Sequence, residues 1–275
     1  MHLSISQSRE CSHNGTSSDT ESTMPRYKLT VAYEGTDFHG WQKQEPRNQA
    51  PLRTVQGVLE QVVVKVVREP VVLVGASRTD SGVHAVGQVA AFSTSREIPV
   101  ERLPRAITSR CPDDLQVIQA EEVPESFDPI SDAVRKKYCY TIQHGSGLPP
   151  LFDRRLIWRT HHDLEIGLMN QAADLLVGIH DFESFASAHH GRENTIREIL
   201  SCQVTELTKN RLKIEVVGSG FLYNMVRIMS GSLLEIGRGA RRPSSITEAI
   251  KNQDRRLTGP TLGPEGLRLE WIEYS

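Results

Sequence analysis

The sequence predicts an α+β protein made of two ferredoxin-like halves, joined through one continuous, mostly antiparallel sheet with a central cleft. Three observations support this. Between residues 27 and 120 the apolar periodicity runs strand, helix, strand, strand, helix, strand, which is the order of a ferredoxin-like unit. From residue 135 a looser version of the same succession follows, alike in layout but not in residues. Pro124 and Pro129 stand between the two and interrupt any regular element, so the boundary falls between residues 122 and 129. The chain is thus expected to divide into a tail (1–24), a first half (25–125) and a second half (126–275).

Residues 1–23 are rich in Ser, Thr, Asn and Asp and hold hardly any large apolar side chains, so they are expected to stay disordered. Met24 directly precedes the first periodic segment and is a candidate start of translation, which a native peptide covering residues 8–19 would refute. Residues 27–33 alternate apolar and polar side chains as a half-buried strand does, and Glu34-Gly35-Thr36-Asp37 closes it. Phe38 and Trp41 then read as core, with stacking on bases as the alternative. From Thr54 the residues Val55, Val58, Leu59, Val62, Val63, Val66 and Val67 recur at helical spacing, and this period outweighs valine's weak preference for strands. Val71, Val72, Leu73 and Val74 form a short run closed by Gly75 and read as a buried strand, paired across a loop with residues 88–93. Residues 100–110 read as a helix and 115–120 as a strand. In the second half, strands are expected over 135–143, 156–159, 200–207 and 212–217, and helices over 164–177 and 221–236.

A chain of 275 residues can bury one large core or two smaller ones. Its net charge of −2 does not announce a nucleic-acid binder, because grip on phosphates comes from Lys and Arg. Any such surface is a local patch. Residues 135–137, Arg154 with Arg155, and Arg238 with Arg241 and Arg242 are the candidates, each with a solvated charged face as its plainer reading. Cys11, Cys111, Cys139 and Cys202 show no paired spacing and read as free thiols in a reducing compartment. No segment is apolar over a membrane-spanning length and no basic-then-apolar leader opens the chain, so a cytoplasmic protein is expected.

The chemistry concentrates in residues 75–84, GASRTDSGVH, where Arg78, Asp80 and His84 gather at the mouth of an apolar run. Taken alone, Asp80 reads as a turn residue or an Asx cap. Asp80 and His84 lack the further ligands that a metal needs. The expected helix over 221–236 is apolar on nearly every side and therefore buried, yet Arg227 sits in its middle. A guanidinium taken out of water without a partner is costly, so a carboxylate has to meet it, either Asp80 or another acid such as Glu235. Tyr138 shares a strand face with Tyr140 and is either core or a platform for a base; Leu267 is core by default.

The 75–84 stretch resembles the Gly-Arg-Thr-Asp-Ala-Gly-Val-His signature of the TruA family of tRNA pseudouridine synthases, with Ser77 and Ser81 replacing the commonest residues. The likeness runs from Arg26 to about Ile272 through YKLTVAYEGTDFHGWQKQ (27–44), KKYCYTI (136–142) and GFLYNMVRIMSGSLLEIG (220–237), and several separated motifs in one order are specific. The resemblance implies an isomerase that converts uridine to pseudouridine in the anticodon stem-loop of tRNA (uridines 38–40), and Asp80 as its catalytic carboxylate, acting at ribosyl C1′ or on the uracil ring. It also implies Arg227 as the partner that keeps Asp80 ionised, Tyr138 against the base, Arg78 on the extruded nucleotide, and Leu267 closing the pocket. No metal or organic cofactor is expected, and the implied form is a homodimer with tRNA crossing both subunits.

A single acid suits this chemistry. Hydrolysis of a glycosidic bond ordinarily takes two flanking carboxyl groups, whereas here the detached base replaces water and the pocket has to hold it dry. At Phe127-Asp128-Pro129-Ile130 the family commonly has Phe-x-Ala-Arg, which puts one RNA or scaffold contact in question at Ile130. Two rivals remain open: a tRNA-binding helper without catalysis, and a glycosylase that releases free uracil. Assaying pseudouridine and free uracil separates them.

Overall fold

Alternating apolar and polar side chains make Arg26–Tyr33 the first strand, β1, with Leu29 and Val31 fully buried. The computed structural model describes residues 24–45, 50–148, 150–187 and 194–275, and the tail expected over residues 1–23 lies outside them. Thr54 caps the valine-rich helix α1 (Val55–Val67) by accepting a hydrogen bond from the Gly57 N–H, and the helix buries Val55, Leu59, Val62, Val63 and Val67. There follow β2 (Val74–Gly75), β3 (His84–Ser93), α2 (Leu103–Thr108) and β4 (Leu115–Val123). The second half comprises β5 (Ala133–Gln143), β6 (Trp158–Arg159), α3 (Ile166–Asp174), β7 (Gly178–Asp181), β8 (Ile196–Thr208), β9 (Arg211–Gly218), α4 (Met225–Gly237), α5 (Ser245–Asn252) and β10 (Leu267–Tyr274).

One sheet holds all ten strands in the order β4-β1-β3-β10-β5-β9-β8-β7, with β2 added to β3 and β6 to β5. Both ferredoxin-like halves are visible in it, as β4-β1-β3-β2 and as β10-β5-β9-β8. The main path is antiparallel except at one seam, where β10 runs parallel to β3 through the pairs Arg268↔His84 and Leu269↔Ala85. On its other side β10 is antiparallel to β5, with Leu269 opposite Tyr138 and Leu267 opposite Tyr140. On the charged face of the sheet stand the ion pairs Lys28–Glu121, Lys137–Glu215, Lys213–Glu215 and Arg268–Glu270.

Three expectations need correction. The run at residues 71–74 is not a buried strand: Leu73 is buried but Val72 is 76% exposed, and only Val74 joins the sheet. Side chains of α1 take the backbone groups that a neighbouring strand would use, with the Leu73 N–H donating to Glu60 Oε2 (3.2 Å) and Gln56 Nε2 donating to the Leu73 carbonyl (2.8 Å). Helix α4 begins at Met225 rather than Phe221, because Asn224 sits in the left-handed region at φ 61. Residues 267–274, given no element from the sequence, form the strand that joins the halves.

Candidate active site

The loop between β2 and β3 is braced from both sides before it presents any chemistry. The Trp41 ring lies so close over Gly75 that a Cβ there would come within 2.2 Å of it, and the Trp41 N–H donates to the Thr79 carbonyl (3.0 Å). Phe38 and Trp41 are both buried, so they are core, as the plainer reading held. Tyr33 and Thr79 share a hydroxyl hydrogen bond (2.7 Å). Gln88 clips the start of the loop, accepting from the Ser77 N–H (3.2 Å) and donating to the Ser77 carbonyl (2.7 Å). Gly82 turns the chain at φ +81 and donates to the Phe38 carbonyl (3.3 Å).

Asp80 is thereby held against the start of α4. Arg227 Nη1 stands 3.4 Å from Asp80 Oδ2, longer than a well-formed charge-assisted hydrogen bond. The shorter bonds of the guanidinium go elsewhere: Nε donates to the Leu262 carbonyl (2.7 Å) and Nη1 to Asn224 Oδ1 (2.6 Å). Two neutral oxygens therefore fix the arginine, and its charge reaches the carboxylate without locking it. Burial pushes the Asp80 carboxyl above its ordinary value, and the charge and hydrogen bond of Arg227 pull it back only in part. Arg227 acts in the direction expected of it, favouring the ionised form, but desolvation is the larger effect. Glu235, the other acid considered for Arg227, pairs instead with Arg238 (2.6 Å).

Asp80 opens on a cavity of about 370 Å3, lined also by Ser77, Arg78, Tyr138 and Leu267. The Tyr138 ring meets Phe221 edge-on at 5.1 Å, and its hydroxyl shares a 2.8 Å hydrogen bond with Ser77 Oγ. Burial pushes this phenol up to about 12, so it stays neutral through the physiological range. Leu267 is buried at the first position of β10. Arg78 is exposed and makes no hydrogen bond or ion pair with a described residue, which leaves its charge available at the cavity. Ile130, where the sequence departs from the family pattern, lines the same cavity. His84 faces away: its Nδ1 accepts from the Gly35 N–H (3.0 Å), and burial lowers its pKa below the ordinary value. Among the described residues no three His, Cys, Asp or Glu side chains come together as a metal site requires.

The proposed basic patches are neutralised only in part. Arg135 pairs with Glu273, Lys137 with Glu215, and Arg155 with both Glu34 and Asp37. Arg241 donates to backbone carbonyls of Leu257 and Arg256. Sequence reasoning missed Ser77, Asn224 and the Leu262 carbonyl. An asparagine just ahead of an apolar helix was a usable signal for Asn224; a carbonyl, common to every residue, gives none.

A family model described as tRNA pseudouridine synthase matches residues 29–130 and 172–275. A protein of Thermoanaerobacter sp. (strain X514) named tRNA pseudouridine synthase A is 41% identical over 251 residues, which cover 91% of this chain and 100% of that one. A Clostridium perfringens protein named tRNA pseudouridine synthase A 2 is 39% identical over the same share of each chain. Among solved structures, a chain of a Cbf5-Nop10-Gar1 complex overlaps 88% of this chain and 57% of its own, at 11% identity and a TM-score of 0.33.

Proposed function

The chain belongs to the tRNA pseudouridine synthase family and is an isomerase of that class, and from this we propose that it acts on uridines of the anticodon stem-loop with Asp80 as the catalytic carboxylate. In this reaction the bond from uracil N1 to ribosyl C1′ breaks, the base turns, and a bond from C5 to C1′ forms. C5 loses its proton and N1 takes one up. The ionised Asp80 attacks at C1′ or on the ring. Arg227 supplies the positive charge that favours the ionised form, Tyr138 lies against the loose base, Leu267 closes the pocket over it, and Arg78 holds the extruded nucleotide from the RNA side.

The observation that carries this reading is a lone acid in a cavity. Asp80 is half-buried at the edge of a space of about 370 Å3, and among the described residues no second carboxylate lines that space. A glycosidase needs a second acid or base to activate water; a site that recaptures its own leaving base does not. The halves divide at residues 25–125 and 126–275, the enzyme works in the cytoplasm as a homodimer, and one tRNA lies across both subunits. Among the described residues, no helix is long and apolar enough to cross a membrane. Leu148, Leu151 and Phe152 are exposed apolar side chains on one loop. No metal or organic cofactor takes part in this scheme.

Incubating the protein with unmodified tRNA and mapping pseudouridine tests it. Product confined to the anticodon stem-loop is expected. Product elsewhere would overturn the specificity, and free uracil in place of pseudouridine would overturn the reaction. Light scattering is expected to give the mass of a dimer.

A further inference from the structure

Two large apolar side chains line the cavity and yet stay exposed, which places them at its mouth: Tyr223 is 52% exposed and Ile130 54%. Both are fixed from behind. The Tyr223 carbonyl accepts from the Ser187 N–H (3.2 Å). Its neighbour Asn224, at φ 61, is held at both ends of its amide, donating to Ser187 Oγ (2.8 Å) and accepting from Arg227 (2.6 Å). Non-glycine residues in this left-handed region gather at functional sites because the surroundings have to impose the conformation. Ile130 rides on an Asx turn in which Asp128 Oδ1 accepts from the N–H groups of Ile130 (2.7 Å) and Ser131 (2.9 Å). The Tyr223 ring and hydroxyl make no ring contact or hydrogen bond with any described residue, so an aromatic face is held out at the cavity that the cation of Arg78 also lines.

Given extrusion of a uridine toward Asp80, on which this depends, we infer that Tyr223 is the platform on which the base next to that uridine stacks, with Ile130 as a second apolar contact on the rim. Pulling one base out of a stack leaves its neighbour with a bare face, and an aromatic ring at the mouth replaces the lost partner. Such stacking accepts any base, since each presents a π-face, so the platform tolerates different neighbours while fixing the depth to which the target uridine enters. Asn224 is then a positioning residue for two groups, Arg227 beside Asp80 and Tyr223 at the edge of the cavity.

The test uses the full chain in an Asp80→Asn background, so that binding is read without turnover, and stem-loop RNAs with an abasic nucleotide on either side of the target uridine. Tyr223→Ala is expected to weaken binding of the intact RNA by about 5- to 150-fold, the range base–aromatic stacking gives, and Tyr223→Phe to restore most of that loss. One of the two abasic RNAs should lose as much with Tyr223 present and lose nothing further with Tyr223→Ala. The salt dependence should be unaltered by Tyr223→Ala but reduced by about one phosphate contact in Arg78→Ala. Losses that multiply for both abasic RNAs, or no loss in Tyr223→Ala, would overturn the assignment. Wild-type protein making pseudouridine in the intact RNA keeps such a failure apart from failure of the reaction itself.

Discussion

In the first half the hairpin between β2 and β3 spans residues 76–83 and carries Asp80; in the second half the corresponding hairpin, between β8 and β9, is closed by Lys209 and Asn210 alone. The helices differ in the opposite sense. The first half has the six-residue α2, whose Arg105 is exposed, whereas the second has the 13-residue α4, with Arg227 turned toward Asp80. Two halves with one strand order have each enlarged a different connection, and the enlarged parts meet. Shortening β2 to two residues makes this possible, because it leaves the start of β3 without its second neighbour and β10 fills that edge. Neither half holds the acid and the cation together.

That contrast can be broken most severely at Arg227. Arg227→Met removes the cation beside Asp80, and the loss is expected to be about 100-fold or more in kcat/KM at neutral pH. Burial already raises the Asp80 pKa, and only Arg227 opposes that rise, so the acid limb of the pH profile should move to higher pH in the variant. An unmoved limb would detach Arg227 from the ionisation of Asp80. Next comes the seam. Leu269→Ala empties a fully buried position between β3 and β5 and should cost about 2–5 kcal/mol in denaturant titrations. Leu212→Ala, equally buried on β9 and away from the seam, should lose similar stability but keep more activity in the folded fraction.

The two hairpins can be compared directly. Gly82→Ala forces a Cβ into φ +81 and within 2.7 Å of Pro264, at an expected cost of about 1–2 kcal/mol together with reduced turnover. Asn210→Ala, in the tight turn of the other half, should stay within about 0.5 kcal/mol of wild type. Ser77→Ala leaves the buried Tyr138 hydroxyl without its partner and should cost about 1 kcal/mol. The Ser77 hydrogen bond favours the phenolate, so its removal should push the Tyr138 pKa, already about 12, higher still in a spectrophotometric titration.

Elements set by local periodicity were legible in the sequence. The valine-rich helix, β1, β5 and β9 follow from spacing alone, and the motif likeness pointed to Asp80 and Arg227 as partners before any geometry. What escaped depends on distant chain. β10 begins with the alternation Leu267, Leu269, but its register shifts between Leu269 and Trp271, so Trp271 and Ile272 break the period that marks a strand. The run at 71–74 looked like a strand because β-branched residues favour one, yet α1 had already taken its backbone partners. Helix α5 buries only Ile246 and Ala249, too few apolar positions to show a face. In the site, opposite charges could be matched from composition, but the balance between burial and Arg227 at Asp80 depends on depth, which no sequence pattern reports.

The central claim is that the Asp80 carboxylate reacts, and a single-turnover assay of Asp80→Asn on unmodified tRNA tests it most directly. Because the folded-state pKa of Asp80 is raised, protonation favours the folded chain at acid pH, and that contribution is lost as pH rises through the folded value. At neutral pH the ionised group is a net cost, so the asparagine variant should unfold at no lower denaturant concentration than wild type and should still bind tRNA. It is expected to form no pseudouridine. A folded, tRNA-binding Asp80→Asn that makes pseudouridine at a rate comparable to wild type would contradict the claim.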